Sequence, residues 1–170
     1  MNAAVWLGAT VVFGFVALPA VFSDELKHLL GDPYVGLVAQ KLVARYFVLQ
    51  CWCAVIALAH LLAEWVYLGR RLHRVTLGIV LALLTLGLVG GLWLQPKMNT
   101  LHGIKYSSEF YRREVYSAAD RAAAARAFRS WHIVARVADL LGLVGLIYYT
   151  WRVVNPSDET RFLAPAKFRG

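Results

Sequence analysis

Four stretches of this chain carry little or no charge and are each close to the same length: roughly 3–22, 46–68, 75–95 and 133–151. Crossing a hydrocarbon core about 30 Å thick takes about 20 helical residues, and each stretch approaches that. In lipid a spanning backbone must satisfy its own hydrogen bonds, so the four blocks are expected to be α-helices. A membrane β-barrel would need polar and apolar residues in alternation, and the run from Leu77 to Leu94 has none. The predicted fold class is all-α: an integral membrane four-helix bundle, multi-pass, and expected in a bacterial inner membrane.

Composition agrees with that reading. Of 170 residues, 59% are hydrophobic and 16% charged, and the mean hydropathy is +0.55. A soluble domain has about 45–50% apolar and about 25% charged residues. The net charge is +8. Its basic residues flank apolar spans, so membrane lipids are the expected partners, other membrane subunits are a further candidate, and no nucleic-acid motif accompanies the charge. No Lys or Arg precedes the first apolar run, so it reads as a retained span rather than a cleaved signal. Cys51 and Cys53 are two apart on one helix and point about 200° away from each other, which suits packing rather than a disulfide.

Residues 1–155 read as the four-span domain and 156–170 as a loosely ordered tail. Pro19 sits in the last turn of span one, where a missing donor is tolerated. Asp32-Pro33 is a helix start, and nothing interrupts the chain from there to about Gly69. A helix of about 37 residues would be about 55 Å long. The Ala118–Ala127 run is a strong helix former after a capping-box-like Ser-Ala-Ala-Asp, and it leads unbroken into span four. Helices two and four are therefore expected to extend beyond the bilayer on one side. Gly69 to Arg74 makes a tight basic turn, and Gly87 and Gly91 form a GxxxG pair on span three. Both termini are expected on one side. Totals of basic residues favour termini outside, density in the tight turn favours termini inside, and the orientation stays open.

Ionisable groups inside membrane helices cost about 2.5–3.5 kcal/mol each on insertion scales, so each needs a reason. His60 and Glu64 share a face of helix two; they suit a relay pair, or Glu64 is a counter-charge to Arg70 or Arg71. His132, Arg136 and Asp139 form one stripe on helix four, and Arg136 can pair with Asp139. That stripe, with Arg45 of helix two, is expected to line a polar pocket near the long-loop face. No cofactor is predicted. Haem or a transition metal is the alternative, but His60 and His132 should lie near opposite leaflets, and His28, His102 and His132 match no compact metal spacing. Walker, nucleophile-elbow and zincin motifs are missing from the sequence.

Several stretches resemble the transmembrane protein 205-like family. They are Trp6-Leu7-Gly8, Phe15-x-x-x-Pro19-x-x-Phe22, Arg45-Tyr46-Phe47, Gln95-Pro96-Lys97-Met98 and Phe128-x-x-Trp131-His132. The resemblance runs to about residue 150. Family members often carry an asparagine shortly after that histidine, where this chain has Arg136 and Asp139. The resemblance implies a four-helix membrane protein without an established activity. Two functions then compete: a non-enzymatic bundle binding a lipid, ion or membrane partner, as an accessory subunit of a larger complex would, and a haem- or metal-dependent membrane oxidoreductase.

Overall fold

The computed structural model describes residues 1–68, 73–110 and 116–155. Among these every regular element is helical. We label them α1 (Asn2–Val21), α2 (Asp24–Leu30), α3 (Asp32–Leu68), α4 (Arg74–Lys105), α5 (Ser107–Phe110) and α6 (Ala118–Val154). α1, α3, α4 and α6 are long and apolar enough to cross a membrane. Only 6% of the most apolar window of α1 and 11% of that of α6 is buried inside the protein. In water such helices would expose their apolar surface, so the surrounding solvent is lipid. The four crossings alternate in direction. Residues 69–72 of the expected basic turn and the expected loose tail 156–170 lie outside the described residues.

Local chemistry explains where the helices start. Ser23 caps α2 by accepting from the Leu26 N–H at 3.4 Å, with Asp24 and Glu25 in the positive first turn. Gly31 then adopts φ 77°, a backbone that disfavours any side chain, and so breaks α2 from α3. Ser117 and Asp120 cap α6 reciprocally: the Asp120 N–H donates to Ser117 Oγ at 3.1 Å and the Ser117 N–H donates to Asp120 Oδ2 at 3.2 Å. Both α3 and α6 run 37 residues without a break, as their uninterrupted sequences predict.

Two proline effects shape the interior. Pro19 and Pro96 have no N–H, and their rings crowd the carbonyls of Phe15 and Leu92. The turns just before them open into π-helix, over Phe13–Ala17 in α1 and Gly90–Leu94 in α4. There the Leu18 N–H reaches back to the Phe13 carbonyl and the Gln95 N–H to the Gly90 carbonyl, five residues instead of four. α4 thus continues through Pro96 to Lys105, past the end of its apolar block.

The core lies where α1, α3, α4 and α6 meet, around Trp6, Cys53, Ala54, Ala57, Val80, Leu83, Leu146 and Tyr149. Glycines on α4 set the approach of α3. Any Cβ at Gly90 would overlap the Phe47 ring, and one at Gly87 would lie 3.2 Å from Cys51 Sγ. Gly91 also faces Phe47, whereas Gly78 meets nothing within 4 Å. Cys53 is buried, Cys51 is half-buried, and both are free thiols. Large aromatics mark two levels on α6: Trp131 at one, Tyr148 and Trp151 at the other, separated by about 30 Å of helix rise.

Candidate functional site

A cavity of 240 Å³ opens between α1, α3, α4 and α6. Its walls are apolar for the most part: Phe47 from α3, Leu83 and Leu86 from α4, and Val134, Leu143 and Leu146 from α6. Its polar lining is Thr10, Tyr46, Gln50 and Asp139. Glycines also make the room, since Gly87, Gly90 and Gly142 contribute backbone and no side chain to the wall.

Three of the polar groups form a closed network. The Trp6 indole N–H donates to Gln50 Oε1. Gln50 Nε2 donates to Thr10 Oγ1 at 3.1 Å and to the Tyr46 hydroxyl. The Thr10 hydroxyl donates back to the Trp6 carbonyl at 2.9 Å. Gln50 is therefore satisfied at both ends, which a buried amide requires. Tyr46 is held flat against Phe13, with ring centroids 4.2 Å apart and planes 2° from parallel, so the π-helical turn of α1 positions its ring.

Asp139 stands apart from this network. It lies within electrostatic range of Tyr46 and lines the cavity. Among the described residues it makes no hydrogen bond, and the ion pairs present are Lys27 with Asp24 and His60 with Glu64. It sits about 12 Å of helix rise inward of Trp131, within the apolar span. A carboxyl there is expensive unless it carries its proton or meets a cation.

The outer lip is aromatic. Trp93 of α4 and Trp131 of α6 meet edge to face at 5.1 Å and 85°, and both line the cavity. Lys97 Nζ lies 4.0 Å from the Trp131 ring centre and 4.9 Å from that of Trp93, a cation–π arrangement. Further out, Lys105, Tyr106, Phe128 and the buried His102 continue the aromatic stack. Gly36 of α3 leaves the space that His102 fills.

All four expected pocket residues are exposed; of them Asp139 lines the cavity, and His132, Arg136 and Arg45 do not. The expected Arg136–Asp139 ion pair does not form. The reason is angular. At 100° per residue the His132, Arg136, Asp139 stripe is about 60° wide, and the cavity edge falls within it. The inward face of α6 belongs instead to Trp131, Ala135, Ala138, Gly142 and Leu146. Ile133, Val137, Leu141 and Val144 are exposed on its outer side. His60 Nδ1 lies 3.4 Å from Glu64 Oε1, with side chains 73% and 35% exposed; this pair is outside the cavity. Its proposed partners Arg70 and Arg71 lie outside the described residues. His28 is exposed too, and among the described residues no three His, Cys, Asp or Glu side chains gather as a metal would need.

The sequence reading missed Thr10, Tyr46 and Gln50. A signal existed for Gln50: it is an amide within an apolar block, and such residues bond across helices. No curated protein and no solved structure matches the chain. Residues 1–107 match the domain of unknown function DUF4149. That match takes in α1 through α4, the Thr10–Tyr46–Gln50 network and the Trp93–Lys97 half of the lip, and leaves Asp139 beyond it. Because the match covers well over half of the sequence, this membrane bundle belongs to the DUF4149 family.

Proposed function

We propose that the bundle is a binding protein without catalytic activity, whose cavity holds a small organic cation. One observation carries the reading: Asp139, the one acidic group on the lining, has no partner among the described residues and faces a cavity of 240 Å³ otherwise walled by apolar and aromatic groups. Such a site complements an apolar body bearing one positive charge. The charge lies against the carboxylate, and the apolar body packs on the aliphatic and aromatic walls. Tyr46 and Gln50 supply fixed dipoles beside it. The site sits inside the span, so its ligand enters from lipid or past the Trp93–Trp131 lip.

Benzyltrimethylammonium is a suitable probe. Ligand that binds only the folded state raises stability, by about 2.7 kcal/mol at 100-fold excess over its Kd. The midpoint of thermal unfolding in detergent should rise with benzyltrimethylammonium chloride and stay flat with sodium chloride at the same ionic strength. Asp139→Asn should abolish the rise. An equal rise in both proteins, or none in either, would overturn the reading.

An accessory role in a larger membrane complex fits a small bundle with no reaction motif, and material co-purifying from native membrane tests it. A helical bundle belongs in a bacterial inner membrane rather than an outer one, which takes barrels. Kinship with the transmembrane protein 205-like family rests on the order of the five motifs. The competing oxidoreductase reading predicts a Soret or metal absorption band in the purified protein.

A further inference from the structure

Independently of the cavity, we propose that the outer face of α6 is a binding site for an anionic phospholipid, with its headgroup phosphate held between Arg129 and Arg136. Arg129, His132 and Arg136 are all exposed. Their offsets of zero, three and seven residues place them within about 60° of one another on the helix. None of the three forms an ion pair among the described residues. Their depth is set by Trp131, an interfacial aromatic by its level on α6. Arg129 lies just outside that level, His132 at it, and Arg136 about 7.5 Å of helix rise inside it. An arginine at that depth, exposed to lipid, lowers its cost by extending its guanidinium toward the headgroups. Both guanidiniums therefore converge on the phosphate layer from its two sides.

The same face continues in apolar form. Leu140, Val144 and Ile147 follow Arg136 within about 80° around the helix and are 62%, 58% and 50% exposed. This gives a track for acyl chains directly below a basic headgroup seat. The nearest acid on α6, Asp139, lines the cavity and forms no ion pair with Arg136 among the described residues. His132 stacks on Phe128, with planes 8° apart and centroids 6.1 Å apart, which fixes a ring N–H donor at headgroup level. A two-guanidinium seat favours a phosphodiester with a net negative charge over a zwitterion, whose own ammonium is repelled.

The test is native mass spectrometry of the intact chain released from detergent micelles doped with equal dioleoylphosphatidylglycerol and dioleoylphosphatidylcholine. The wild type should retain phosphatidylglycerol in preference to phosphatidylcholine. A basic residue near an anionic surface contributes about 1 kcal/mol, which is roughly a fivefold change in affinity for each arginine removed and roughly 30-fold for both. Arg129→Gln with Arg136→Gln should show that loss, and Arg129→Lys with Arg136→Lys should keep most of the binding. Equal retention of the two lipids by the wild type would overturn the proposal with no variant needed. Undiminished phosphatidylglycerol binding by the double glutamine variant would overturn it as well. Neither outcome bears on Asp139 or the organic cation.

Discussion

Asp139 and Arg136 are three residues apart and in different environments. One faces the cavity and the other the outside of the bundle. A buried ion pair would make the loss of one partner worse than the loss of both, because the survivor is stranded. Two unpaired groups should behave otherwise. We expect Asp139→Asn alone to leave the ligand-free midpoint unchanged or raise it, since a costly carboxyl is removed. Arg136→Gln and Asp139→Asn should then combine additively, within about 0.5 kcal/mol. Thermal unfolding of the four proteins in detergent measures this, and a double variant more stable than the Asp139→Asn single would restore the pair. His132, Arg136 and Asp139 were legible as one stripe because helix periodicity places them so. Which edge of the stripe turns inward depends on how α6 rotates against α1, α3 and α4. Small residues at Ala135, Ala138 and Gly142 decide that rotation, and the cost of the charges alone does not.

At the scale of elements, the glycines of α4 differ in what they do. Gly90 and Gly87 admit Phe47 and Cys51 of α3, and Gly78 faces open space. Gly90→Ala should therefore cost about 1–3 kcal/mol through overpacking against Phe47, and Phe47→Leu should recover part of it. Gly78→Ala should cost nothing and can gain up to about 1 kcal/mol, the helix propensity difference. Thermal midpoints in detergent separate the two. Equal effects would remove Gly90 as a contact point. The GxxxG pair Gly87 and Gly91 marked the right face of span three, but the tightest contact is at Gly90, between them. Gly90 is three residues after Gly87 and shares its helix face. A pattern counted at four-residue spacing does not register it.

For the whole molecule, four alternating crossings require the chain to end on the side where it begins. Reporters fused ahead of Met1 and after Gly170 should be accessible to protease from the same side of sealed vesicles, and opposite accessibility would contradict four spans. By itself the sequence determined the number of crossings, their all-α character, the two 37-residue helices and the cap at Ser117. Each follows from apolar run length, backbone satisfaction in lipid or a local hydrogen bond. Only the tertiary structure decided that Gln50 would join Trp6, Thr10 and Tyr46, that Asp139 would be left facing a cavity, and that Arg45, His132 and Arg136 would lie outside it. Those outcomes depend on the axial offset and rotation of helices distant in the chain. Both are set by side-chain volumes at their contacts, chiefly Phe47 against Gly90 and the small residues along α6, and no periodicity within a single helix encodes them.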